Sequence, residues 1–75
     1  MLLLSYREIQ IIRLISFGYT AKEIARKLNI GYRTVEKYAQ NIRKKLKARN
    51  MTHAVFLAVH GGLITVQNAQ QMVVN

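Results

Sequence analysis

Two phrases, Ser5-Tyr6-Arg7-Glu8 and Thr20-Ala21-Lys22-Glu23, repeat one helix-starting pattern: a hydroxyl residue, two others, then glutamate. In each, the hydroxyl can accept a free first-turn N–H, while the glutamate reaches back to the N–H of the hydroxyl residue itself. Two such starts in quick succession predict short, consecutive helices. Ile9, Ile11, Ile12, Leu14 and Ile15 fill the first, which is expected to end near Phe17 with Gly18 as a left-handed terminator. The second runs to about Leu28, with Ile24, Ala25 and Leu28 on one face. Asn29-Ile30-Gly31 interrupts it, and Asn and Gly both tolerate the positive φ of a tight helix-to-helix turn. A third helix is expected from about Tyr32 to Leu46 or Lys47, and a fourth from Thr52, its expected N-cap, to Gly61-Gly62. In the segment Leu63 to Asn75, Val66, Ala69 and Val73 give only a weak amphipathic pattern, and the end is expected to fray.

The absence of proline, with only four glycines, agrees with uninterrupted helices. The 75 residues are expected to form one domain, 1–75, with its core about 3–64 and a C-terminal tail over 65–75. At this size only roughly 60% of the unfolded surface can be buried, which leaves no room for a deep substrate cavity beside a core. There is no cysteine, so neither disulfides nor a thiolate metal site can supply stability. His53 and His60 are too few for a metal site. No nucleophile–base set, carboxylate pair or phosphate-binding glycine loop is present, and the expectation is a non-enzyme without cofactor or metal. Met1-Leu2-Leu3-Leu4 is too short for a signal-peptide core, and no apolar run approaches the ~20 residues of a membrane span. A cytoplasmic, nucleoid-associated setting is expected.

Charge narrows the partners. Twelve Lys and Arg stand against three acids, a net charge of +9, which points to a polyanion. Arg26, Lys27, Arg33, Lys37, Arg43, Lys44, Lys45, Lys47 and Arg49 crowd the middle third, around the third helix. At ~100° per residue, Val35, Ala39, Ile42 and Leu46 form one apolar stripe on that helix. Arg33, Glu36, Lys37, Gln40, Lys44 and Lys47 form a polar band opposite. The band has the chemistry of a groove-reading helix: Arg, Gln and Glu match base-edge donors and acceptors, and bordering cations such as Lys44 neutralise phosphates. Within the two-helix unit, Ile24, Ala25, Leu28, Ile30, Val35 and Tyr38 are the expected buried positions, with Ala25 small because the helices cross closely there. Tyr6, Tyr19 and Tyr32 are either phosphate donors or half-buried packing residues.

Taken together these residues resemble the LuxR/GerE-type helix-turn-helix family of bacterial transcription regulators. The resemblance covers about residues 3 to 64. It rests on Leu4-Ser5 with Arg7-Glu8, Gly18 and Thr20, Lys22-Glu23-Ile24-Ala25, Leu28-Asn29-Ile30, Thr34-Val35-Glu36, Asn41-Ile42, Lys45-Leu46, Ala54-Val55 and Gly62-Leu63-Ile64. It implies an all-α, four-helix domain with the third helix in the major groove of double-stranded DNA and the fourth at a two-fold dimer interface. It also implies base contacts at Glu36, Lys37 and Gln40, and backbone contacts at Lys22, Arg33 and Thr34. Gly31 stands where the family usually has a serine N-cap, Tyr38 replaces a common histidine, and Met51 a common arginine. Glu36 keeps two readings: an acceptor for a base amino group, or a surface partner of Arg33.

Ala54-Val55-Phe56-Leu57-Ala58-Val59 is apolar on every side, so a second face is left over beyond the core-facing one. The expected use is a homodimer interface of Ala54, Val55, Ala58 and Val59, binding an inverted repeat; residues 65–75 covering that face is the alternative. The second functional reading is a protein-interaction module resembling a sigma-factor promoter-binding domain that acts by contacting RNA polymerase or another regulator. RNA is disfavoured, because a major-groove helix has little to read in A-form RNA. Met1 just before the first helix gives the expectation of a stand-alone regulator controlled by its concentration or by a partner.

Overall fold

A computed structural model describes residues 4–65. Four helices follow one another, α1 (Tyr6–Ser16), α2 (Ala21–Leu28), α3 (Tyr32–Leu46) and α4 (Met51–His60), with no strand among the described residues. The all-α, four-helix reading holds. The weak pattern of Val66, Ala69 and Val73 lies outside the described residues.

Both capping boxes are formed. The Glu8 N–H donates to Ser5 Oγ at 3.1 Å and the Ser5 N–H to Glu8 Oε1 at 2.7 Å. The Glu23 N–H donates to Thr20 Oγ1 at 3.2 Å and the Thr20 N–H to Glu23 Oε1 at 2.8 Å. α1 closes at Phe17 and hands over to Gly18 at φ 96. α2 stops because Asn29 turns left-handed at φ 56, which lets the Ile30 N–H reach back to the Ala25 carbonyl at 3.0 Å. Gly31, the N-cap of α3, has φ -72, so the turn needs only Asn29 in the left-handed region. α3 ends in the same way, with Lys47 at φ 56 and the Ala48 N–H donating to the Arg43 carbonyl at 2.9 Å.

The start of α4 differs from expectation. Its N-cap is Asn50, whose Oδ1 accepts the His53 N–H at 2.8 Å, and Thr52 lies inside the first turn. His53 completes the cap, since its Nδ1 accepts the Arg49 N–H at 3.1 Å. The histidine reaches one residue further back than the glutamates of α1 and α2, which accept the N–H of the N-cap itself. The close of α3 at Lys47-Ala48 leaves only a short turn, and Asn caps at least as well as Thr.

α3 packs against all three other helices. Ile11, Ile12, Ile24, Val35, Ile42, Ala54 and Ala58 form the fully or nearly fully buried centre, closed by Leu4, Leu46 and Ile64. Of the residues expected inside the two-helix unit, Ile24, Ala25 and Val35 are buried, and Leu28, Ile30 and Tyr38 are partly buried against them. One polar group joins the core. Glu8 is 4% exposed, and its Oε1 also accepts from Lys45 Nζ at 2.8 Å, tying the start of α1 to the last turn of α3. Burial alone raises the Glu8 carboxyl, but the Lys45 ammonium and the Ser5 N–H more than offset this and hold it below its ordinary value.

Candidate nucleic-acid interface

α3 has two opposed sides. Val35, Ile42 and Leu46 are buried and Ala39 is partly buried, whereas Arg33, Glu36, Lys37, Gln40, Lys44 and Lys47 are all exposed. The inner stripe anchors the helix through three partners, and the outer flank is left free to meet a ligand. Arg33, Glu36, Lys37 and Gln40 surround one shallow concavity of about 400 Å³. Donors and acceptors thus share a single exposed patch. Arg43, which sequence reasoning placed in the charge cluster but not in the site, lines the same concavity. Its Nε is buried and has no hydrogen-bond partner among the described residues. The missed signal is its spacing, one turn beyond Gln40 at the edge of the polar band.

The start of α3 adjoins a second concavity, about 520 Å³, bordered by Lys22, Arg26, Asn29 and Tyr32. Lys22 and Arg26 are one turn apart on α2 and both exposed, so the cationic surface continues from α3 onto the preceding helix. Thr34 is exposed in the first turn of α3. That helix has no side-chain cap, because Gly31 supplies none. Lys45, by contrast, is engaged with Glu8. Glu36 forms no ion pair with Arg33, since Glu8–Lys45 is the ion pair found among the described residues. The surface-partner reading of Glu36 with Arg33 is therefore not realised. Of the tyrosines, Tyr6 is 85% exposed, whereas Tyr19 is partly buried under the Lys27 ammonium, 4.8 Å from its ring centroid.

Over residues 2–58 the chain matches the family described as bacterial regulatory proteins, luxR family. The chain belongs to this family. It is 41% identical over 59 residues to the transcriptional regulatory protein FixJ of Rhizobium meliloti, a match covering 79% of this chain and 29% of FixJ. It is 39% identical over 62 residues to the response regulator protein VraR of Staphylococcus aureus, covering 83% of this chain and 30% of VraR. The VraR of Staphylococcus saprophyticus matches to the same extent. The chain spans about three-tenths of the length of these curated relatives. Its four helices are a luxR-type helix-turn-helix unit, of the class that serves DNA-binding transcription regulation. No helix among the described residues is long and apolar enough to cross a membrane.

The fourth helix of this luxR-family unit requires a correction. Ala54 and Ala58, expected at a dimer interface, are both 0% exposed and belong to the chain's own core. They have no surface to offer a second copy. Val55 and Val59 are partly buried against that core. The outward apolar group is Phe56, 60% exposed and stacked on His60 with ring centroids 5.6 Å apart. A helix apolar on every side gives no period from which to read its inner face, and the two small alanines are the residues of α4 that the core encloses completely.

Proposed function

We propose that this chain reads a specific double-stranded DNA sequence with α3 in the major groove, and so regulates transcription. The observation that carries this is the exposed flank of Arg33, Glu36, Lys37 and Gln40, gathered round one concavity opposite a buried stripe. Glu36, Lys37 and Gln40 contact base edges. Lys22, Arg33, Thr34 and Lys44 bind phosphates, on α2, at the start of α3 and towards its end. Selection of bound duplexes from a random pool tests the assignment. A defined consensus whose affinity falls steeply with salt is expected. Lys37→Ala or Gln40→Ala relaxes preference at one base pair, while Lys22→Ala weakens all sequences alike and lowers the salt slope by about one.

The same reading includes a homodimer on an inverted repeat, with the outer side of α4, Phe56 with Val55 and Val59, between the two copies. An exposed aromatic beside partly buried valines supports it. Such a protein works at the nucleoid. A second reading, docking to RNA polymerase or another regulator, draws on Tyr6 and Phe17, exposed at the start and end of α1, an element that contributes none of the reading side chains. Capture of a protein partner that survives nuclease treatment, without duplex binding by the chain alone, favours that second reading.

A further inference from the structure

The chain has three acidic residues, Glu8, Glu23 and Glu36, and the fold uses two of them. Glu8 closes the first capping box and takes the Lys45 ammonium. Glu23 closes the second. Glu36 caps nothing and makes no ion pair among the described residues, although Arg33, Lys37 and Arg43 line the same concavity. It places a negative charge among the cations of this concavity, where it weakens attraction to every phosphate nearby.

A carboxylate is an acceptor only. In the major groove it is matched by an exocyclic amino group and opposed by the acceptors of guanine and thymine. Adenine presents N7 beside its amino group, so one carboxylate oxygen gains while the other meets an acceptor; cytosine presents its amino group alone. One turn back on α3 stands Tyr32, 42% exposed, four residues before Glu36, and the neighbouring carboxylate pushes its hydroxyl above its ordinary pKa. At this i, i+4 spacing a phenol is within reach to donate to the carboxylate, which would fix its direction and leave its remaining lone pairs to the groove.

We propose that Glu36 is a specificity gate, held in place by Tyr32 as a positioning residue, that admits cytosine at one position of the site and lowers affinity for every other sequence. The proposal rests on α3 being the groove helix. Its test uses the full chain and the selected duplex with each base pair varied singly, alongside random duplex. Cytosine is expected to be preferred at one position by about tenfold. Glu36→Ala loses that preference and binds random duplex more tightly. Glu36→Gln moves it towards adenine, which an amide can meet with a donor and an acceptor. Tyr32→Phe weakens the preference at that position alone, with the thermal midpoint unchanged. A Glu36→Ala variant that weakens all sequences alike, or keeps the original base profile, overturns the proposal while duplex binding stands. A Tyr32→Phe variant that shifts all positions equally overturns the positioning role. Failure of the unaltered chain to bind any duplex overturns the groove reading itself, and the gate with it.

Discussion

The Glu8 carboxylate, 4% exposed, sits 2.8 Å from the Lys45 ammonium and joins the first turn of α1 to the last turn of α3. Lys45 remains 41% exposed at its side chain, so the pair is buried on the acidic side only. Removing the base strands a buried carboxylate, whereas removing the acid leaves an ammonium that water can reach.

A carboxyl held below its ordinary value, 4.5, when folded adds stability that is present above that value. The stability is lost as pH falls through the folded value. Thermal midpoints measured from pH 7 to pH 2 are therefore expected to decline on the acid side. Glu8→Gln should flatten this decline and lower stability at neutral pH by roughly 1–2 kcal/mol. An unchanged acid profile in the Gln variant contradicts the role given to Glu8.

Gly31 caps α3 without a side chain, at φ -72 and ψ 149, a conformation any residue adopts. A Cβ added there meets only Thr34 Oγ1, at an ordinary 3.6 Å. Gly31→Ser supplies the missing acceptor and removes unfolded-state freedom, so a gain of about 0.5–1 kcal/mol in denaturant unfolding is expected. No gain indicates that the first turn is already satisfied.

Arg43 combines a place on the concavity of the exposed α3 flank with a buried Nε that has no partner among the described residues. Moving its guanidinium towards a phosphate breaks no hydrogen bond at that atom, and leaving a buried donor unpaired costs about 1–3 kcal/mol. Arg43→Met keeps the apolar stem. It should leave stability equal or higher while lowering duplex affinity and the salt slope by about one. Equal duplex affinity in the two proteins removes Arg43 from the interface.

Phe56 should separate pairing from folding. Phe56→Glu alters a side chain 60% exposed, so the unfolding of the single chain changes little. Binding to an inverted repeat is expected to weaken by at least about tenfold, whereas binding to a single half-site is spared. Parallel titrations of the two duplexes measure this; equal losses on both rule out a pairing role for Phe56.

What could be read in advance follows the range of the interactions. The helix starts at Ser5 and Thr20 were legible because each box closes within one turn. The exposed flank of α3 was legible because its stripe is periodic. The start of α4 was not, because Asn50 and Thr52 are both competent caps, and the choice depends on how Lys47 and Ala48 close the helix before them. The bond between Glu8 and Lys45 was also out of reach, since it joins distant parts of the chain through packing alone. Ala54 and Ala58 were placed outward because α4 lacks a polar side to orient it. Arg43 sits where band and stripe meet, and only the folded chain places it beside Arg33, Glu36, Lys37 and Gln40.

Because α3 packs against every other helix and also displays the outward flank, its two sides carry different structural demands. Inner positions such as Val35 and Ile42 are almost wholly buried and constrained by the surrounding core. Outer positions such as Lys37 and Gln40 touch solvent, so their replacement leaves the scaffold intact. A lineage built on this plan can rewrite that outward flank by a few surface changes, without passing through unfolded intermediates.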